Sequence, residues 1–306
     1  MTEALTRIPL YQVDAFGPQP FMGNPAAVCL LEQSLPASVM HNIAKEMNLS
    51  ETAFVEYHGT ESSGTSHFKE RSVFGLRWFT IEGEVDLCGH ATLATAAILF
   101  EVAGNQQPEL HFETLSGRLT VRKPAATSKP FLQMTLPNCA PSAAPDWLQQ
   151  ASTPLQAALG ISDVQELLIH PALKYVLLVL PHGTTQEQLQ SIKPNFVQLK
   201  AAATVEQIVG VIVTCSGDGG QHHFLSRFFA PWVGINEDPV TGSAHAVSGP
   251  YWAKHLTDAP TEMKARQCSA RGGEVIVTVK SGGVVVAGQA TIVSQGHLLL
   301  PTSICT

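Results

Sequence analysis

The sequence predicts an α+β protein built from two similar halves, and three observations carry that reading. The chain has 306 residues, about twice the roughly 100–200 residues usual for one domain. Strand-like and helix-like apolar patterns alternate along its length. A series of short motifs also recurs half a chain later. Arg77-Trp78-Phe79-Thr80, Gly89-His90-Ala91-Thr92 and Ser116-Gly117-Arg118-Leu119-Thr120-Val121 come first. Arg227-Phe228-Phe229-Ala230, Gly242-Ser243-Ala244-His245 and Gly272-Gly273-Glu274-Val275-Ile276-Val277 answer them, at offsets of 150, 153 and 156 residues. Loop insertions in a duplicated unit produce such a drift. The halves are expected at 1–128 and 129–288, with 289–306 packing back onto the first.

Val13 to Leu31 reads as two strands around the turn Phe21-Met22-Gly23-Asn24-Pro25. Pro36 opens a helix in which Met40, Ile43, Ala44 and Met47 form one apolar stripe. Asn48 to Glu51 ends it, and Thr52 to Tyr57 is a strand, so Glu51 sits at a helix-to-strand junction. Gly59 to Thr65 is a polar loop. Leu76 to Phe79 is a strand and Ala91 to Phe100 a helix. Leu110 to Arg122 is a strand pair broken at Ser116-Gly117. Pro124 to Pro130, rich in Pro, Ala, Ser and Thr, is the linker candidate. Beyond it lie a helix near Trp147 to Leu159, strands at Tyr175 to Leu180 and Ile208 to Cys215, and β-rich sequence from Glu274 onward.

Composition excludes several classes. Charged residues are 14% of the chain against a usual ~25%, which argues for a compact protein and against disorder. A net charge of −7 without a Lys/Arg run is unsuited to nucleic acid or an anionic membrane. The longest apolar stretch, around Ala94 to Phe100, falls far short of the ~20 residues that span a bilayer. No secretory signal is visible, and the six cysteines form no Cys-x-x-Cys pair, which fits free thiols in a reducing compartment. The expected location is the cytoplasm, and no metal site is expected. Asn48-Leu49-Ser50 matches a glycosylation sequon but reads as chance without export.

In both halves a turn and a Gly lead into a helix, at Gly89 and at Gly242. A helix N-terminus carries about half a positive charge, and Gly lets a ligand approach the backbone, which makes an anion site. Were the halves to face each other about a pseudo-two-fold axis, both helix ends would address one carboxylate-bearing small molecule. Ordinary capping by Thr241 or Ser243 is the alternative. Glu51, followed by Ala53-Phe54-Val55, is a carboxylate against apolar neighbours, where its charged form is disfavoured and proton transfer is favoured; a cap or a solvated side chain is the plainer reading. The positive helix end favours neutral His90. The other histidines, His222-His223 included, lack metal-ligand spacing and read as surface groups. Asp238 orients a substrate amine or His90, or starts the turn at Pro239. Cys88 is either a low-pKa thiolate or a small buried hydrophobe. Ser243, His90 and Asp238 would compose a hydrolase triad, but no Gly-x-Ser-x-Gly elbow surrounds the serine. Gly217 to Gly220 and Arg271-Gly272-Gly273 read as turns.

The full set of motifs resembles the PhzF (phenazine biosynthesis-like) family. It comprises Val13-Asp14-Ala15-Phe16, Gly23-Asn24-Pro25-Ala26-Ala27-Val28, Asn48-Leu49-Ser50-Glu51-Thr52-Ala53-Phe54, Leu76-Arg77-Trp78-Phe79-Thr80, Cys88-Gly89-His90-Ala91-Thr92, Phe229-Ala230-Pro231-Trp232, Glu237 to His245 and Arg271-Gly272-Gly273-Glu274. The resemblance implies the diaminopimelate-epimerase-like α+β fold, two pseudo-symmetric domains that each wrap a β-barrel-like sheet around a central helix, with the site between them. It implies a cofactor-independent isomerase that moves a proton on a small carboxylate, and a homodimer. Glu51 falls on the catalytic acid/base of the family, His90 on its active-site histidine, and Asp238 and Ser243 on its substrate-site pair. Asn24, Gly89, Thr241 and Gly242 are expected to line the substrate. Racemases of the wider superfamily place a cysteine before each central helix. Here Cys88 holds the first position and Thr241 the second, and a hydroxyl of very high pKa does not replace a thiolate base. The alternatives are a protein of this fold that acts through binding partners, and an epimerase using Cys88.

Overall fold

The computed structural model describes residues 4–57, 66–124, 131–217, 220–257 and 260–305. The loop 59–65, most of the linker at 124–130 and part of the turn at 217–220 lie outside the described residues. The chain divides into two compact units, one of Met1–Thr135 with Ala287–Thr306 and one of Leu136–Val286.

The first unit contains β1 (Leu5–Ala15), β2 (Asn24–Leu31), α1 (Ala37–Met47), β3 (Glu51–Glu56), α2 (Ser66–Glu70), β4 (Val73–Phe79), β5 (Glu84–Val85), α3 (Gly89–Ala97), β6 (Glu109–Thr114), β7 (Gly117–Arg122) and β8 (Leu132–Leu136). The second contains β9 (Ser142–Ala143), α4 (Asp146–Leu159), β10 (Glu166–His170), β11 (Tyr175–Val179), α5 (Gln186–Ser191), α6 (Phe196–Ala201), β12 (Gly210–Ser216), β13 (Phe224–Ala230), β14 (Ile235–Asp238), α7 (Gly242–His255), β15 (Met263–Gln267), β16 (Gly273–Lys280) and β17 (Gly283–Gly288). The last strand, β18 (Ala290–Pro301), pairs antiparallel with β1 from Leu5↔Pro301 to Ala15↔Ala290.

The two units share one pairing plan. In the first, β1–β2 is antiparallel, β2–β3 parallel, β3–β4 and β4–β5 antiparallel, β4–β6 parallel and β6–β7 antiparallel. The second repeats this step for step with β10–β11, β11–β12, β12–β13, β13–β14, β13–β15 and β15–β16. The β18–β1 pair has its counterpart in β9–β10.

In each unit the strands pack on one central helix. All residues of α3 from His90 to Ala97 are buried, and it packs on β1, β2, β3, β7 and β18. A helix this short and apolar on every side is stable only inside a core. It begins two residues earlier than the sequence pattern indicates, and Ile98–Val102 continues it as a π turn. In the second unit α7 is buried from Ala244 to Trp252 and packs on β11, β12 and β16. This is the diaminopimelate-epimerase-like α+β fold. The α1 stripe buries Met40, Ile43 and Ala44 against Phe54 and Phe79, and the left-handed Asn48 (φ 50°) ends the helix three residues before Glu51. No described helix is long and apolar enough to cross a membrane.

Candidate functional site

Parallel pairing of β2 with β3 sets Glu51 opposite Ala26, and the Ser50 hydroxyl donates to Asn24 Oδ1 at 3.1 Å. Asn24, the first residue of β2, is thus tied to the turn that delivers Glu51. The Glu51 side chain is buried, with the residue 8% exposed, so the plain reading of a solvated or capping carboxylate does not hold. His90 lies in the first turn of α3 and is 6% exposed; its Nε2 is 3.2 Å from Glu51 Oε2. The two atoms are close but out of line, and neither has a hydrogen-bond partner among the described residues. Cys88 occupies the N-cap of α3, and its Sγ is 3.4 Å from His90 Nδ1. Glu51, His90 and Cys88 form one buried polar group in an apolar core.

One expectation, neutral His90, requires correction, and one of the two alternatives for Cys88 falls away. Burial works against a charge on His90, but Cys88 and Glu51 favour it and prevail, so the imidazole pKa stands well above its ordinary value. The helix end, which taken alone favours neutral His90, is outweighed by a carboxylate at 3.2 Å. Burial and Glu51 also push the Cys88 thiol up, against weaker pulls from His90 and the Ala91 backbone. Cys88 is therefore not a low-pKa thiolate.

A carboxylate oxygen, a sulfur and an imidazole nitrogen lie within 4.8 Å of one another here, a donor set of the kind metal ions take. Two features fit proton chemistry better. The two ring nitrogens of His90 face different partners, and the positive end of α3 disfavours an added cation. At Gly89 a β-carbon would come within 3.1 Å of the Met134 methyl, so the bare residue lets that side chain pack against the helix start.

The second unit holds a different group at the matching place. Thr241 is the N-cap of α7 but makes no capping bond; its hydroxyl donates to the Asp238 carboxylate. Gln267, fully buried, accepts from the Thr241 N–H at 2.9 Å and donates to the Asp238 carbonyl at 2.7 Å. Sequence reasoning missed Gln267, because a lone glutamine in a strand carries no motif. The Ser243 hydroxyl is 3.3 Å from the Tyr175 hydroxyl. His245 Nδ1 donates to the Thr241 carbonyl at 2.8 Å, and in the first unit Thr92 Oγ1 does the same to the Cys88 carbonyl at 2.6 Å. The position in β12 that corresponds to Glu51 is Gly210, where an added β-carbon would meet the Phe228 ring at 2.3 Å. At this position the duplicated plan therefore carries a carboxylate in the first unit alone.

His222 is another correction. It is buried and faces Glu274 at 3.6 Å, while His223 accepts the Lys264 N–H.

Residues 13–296 match the family model described as phenazine biosynthesis-like protein. The chain belongs to this family. A mouse (Mus musculus) relative, phenazine biosynthesis-like domain-containing protein 2, is 42% identical over 297 residues, covering 95% of this chain and 99% of its own. A Pseudomonas aeruginosa protein named an uncharacterized isomerase is 39% identical, covering 95% of this chain and 98% of its own. The crystal structure of a PhzF-family protein from Enterococcus faecalis superposes with a TM-score of 0.81 at 40% identity, covering 96% of this chain and all of its own. The family is thus isomerase-like in the naming of its bacterial members.

Proposed function

We propose that the chain is a cofactor-independent isomerase of a small carboxylate-bearing substrate, with Glu51 as its general acid/base. The C–H bond that breaks is acidified by conjugation or by an adjacent carboxylate. Glu51 takes the proton, the electron pair delocalises through the substrate, and Glu51 returns the proton to a second carbon on the same face. The substrate is isomerised with no net change in atoms or electrons. A positioned acid/base of this kind is worth roughly 10²–10⁴-fold in rate.

The observation that carries this reading is the buried Glu51–His90 contact, with Glu51 Oε2 unpartnered among the described residues. An unpaired carboxylate oxygen in a core is costly to keep and suits a group that needs a free lone pair. The imidazolium of His90 and the helix start at Gly89 favour an anionic intermediate, since donors fixed in advance need no reorganisation. The resemblance assigns Asp238 and Ser243 to the substrate, with Asn24, Thr241 and Gly242, and we adopt that assignment. The absence of a carboxylate at Gly210 and of a cysteine at Thr241 favours one-base chemistry over a two-base racemase. The raised Cys88 thiol argues against an epimerase that uses it as base.

The test is solvent deuterium incorporation into a panel of small unsaturated carboxylates. Incorporation by the wild type that disappears in the nearly isosteric Glu51→Gln supports the proposal. Equal incorporation by both proteins would refute it.

A further inference from the structure

The His90 ring has two nitrogens in contact with two unlike neighbours. Nε2 faces a carboxylate oxygen at 3.2 Å, and Nδ1 faces a sulfur at 3.4 Å. An ionised carboxylate only accepts, whereas a thiol both donates and accepts. A neutral ring with its proton on Nδ1 would set the Nε2 lone pair against the lone pairs of Glu51. With its proton on Nε2, the same ring accepts the Cys88 S–H at Nδ1 and sets an N–H rather than a lone pair beside Glu51. In the imidazolium Nδ1–H turns toward the sulfur, and Nε2–H is unchanged. Cys88 and His90 are each 6% exposed, which leaves little room for water to take the place of the thiol.

We propose that Cys88 is a positioning residue: its thiol engages Nδ1 and holds His90 in the tautomer that keeps a protonated Nε2 turned to Glu51. The proton that comes and goes on His90 is then the one on the Cys88 side. The Glu51 side stays constant, so the acid/base always faces a donor. Of β1, β2, β3, β7 and β18, the strands packed on α3, β3 brings the one carboxylate among the described residues that acts on this ring, Glu51, and the helix's own cap brings the Cys88 sulfur. The use made of the Glu51 contact rests on the isomerase reading, while the tautomer assignment stands apart from it.

Long-range ¹H–¹⁵N spectra of the His90 ring in the full ¹⁵N-labelled chain test this, across pH, for the wild type, Cys88→Ala and Cys88→Ser. The wild type is expected to show only the Nε2–H form on its neutral limb. Cys88→Ser, which keeps a small group able to donate and accept, is expected to retain it. Cys88→Ala is expected to give mixed tautomers and a titration midpoint displaced toward the ordinary imidazole value. An Nδ1–H form in the wild type, or a Cys88→Ala ring indistinguishable from the wild type in tautomer and midpoint, overturns the assignment. Amide dispersion in each spectrum shows whether the variant is folded, and the serine variant carries the test if alanine is not tolerated. Glu51→Gln in the deuterium assay addresses the isomerase reading separately, so either claim fails without the other.

Discussion

His90 and His245 are both buried in a central helix, yet their environments push them in opposite directions. Cys88 and Glu51 raise the pKa of His90, whereas burial lowers that of His245 to about 4. The consequences for stability have opposite signs. The contribution of His90 is complete below the unfolded imidazole value near 6.5 and is lost as pH rises through its higher folded value. The advantage of wild type over His90→Gln in chemical denaturation should therefore shrink toward alkaline pH; an advantage that grows there contradicts the ion pair. His245 is neutral in the fold, so its contribution is complete above about 6.5 and is lost as pH falls toward about 4, where the unfolded chain takes the proton first. The shift corresponds to about 3 kcal/mol. His245→Gln should lose less stability than the wild type between pH 7 and pH 4, and equal losses would contradict the assignment. Glu51, Cys88, His90 and Asp238 were all legible as polar residues at the ends of helices and strands. The charge state of His90 was not, because it depends on a strand 34 residues or more away in sequence and on its distance from the ring.

At the scale of elements, the duplication carries a supporting device twice. Arg77 on β4 makes a two-pronged contact with Glu84 on β5, at 2.7 and 2.8 Å, and lies over Phe79. Arg227 on β13 does the same with Glu237 on β14, at 2.7 and 2.9 Å, and lies over Phe229. Each clamp holds the short strand that leads into a central helix. Their surroundings differ, the Arg77 side chain being 28% exposed and that of Arg227 only 9%. Arg227 also donates to the carbonyls of Leu189 and Ile192. An exposed pair is worth ~0–1 kcal/mol, while unpairing a buried charge costs ~3–5 kcal/mol. Urea denaturation should thus show Glu237→Gln destabilised by about 3 kcal/mol and Glu84→Gln by less than about 1. Equal effects would contradict the contrast in burial. The arginines were visible as a repeated motif, but their partners were not, since neither glutamate belongs to a periodic pattern. Short strands escaped for a related reason. The two residues of β5 and of β9 are too few to alternate, and β10 and β15 are recognisable only from the strands they pair with.

For the molecule as a whole, the repeat at offsets of 150 to 156 residues was the most informative feature of the sequence, and the shared pairing plan is its structural counterpart. The return of the C-terminal strand to β1 needed the structure for its register, because a strand's partner is not encoded in its own periodicity. It has a consequence for the site. Deleting residues 290–306 strips β1 of one of its two antiparallel partners along eleven pairs, although the deletion lies some 200 residues from His90. The shortened chain should lose the dispersed His90 ring signal and become sensitive to protease within Leu5–Leu31; a native His90 signal in that chain would contradict the arrangement. Glu51 and Cys88 have no counterparts of their own kind in the second unit, since Gly210 and Thr241 stand at the matching positions. The most direct measurement is solvent deuterium incorporation into unsaturated carboxylates by wild type and Glu51→Gln. The account expects exchange to fall by at least about 10²-fold in Glu51→Gln. Undiminished exchange in Glu51→Gln would contradict it.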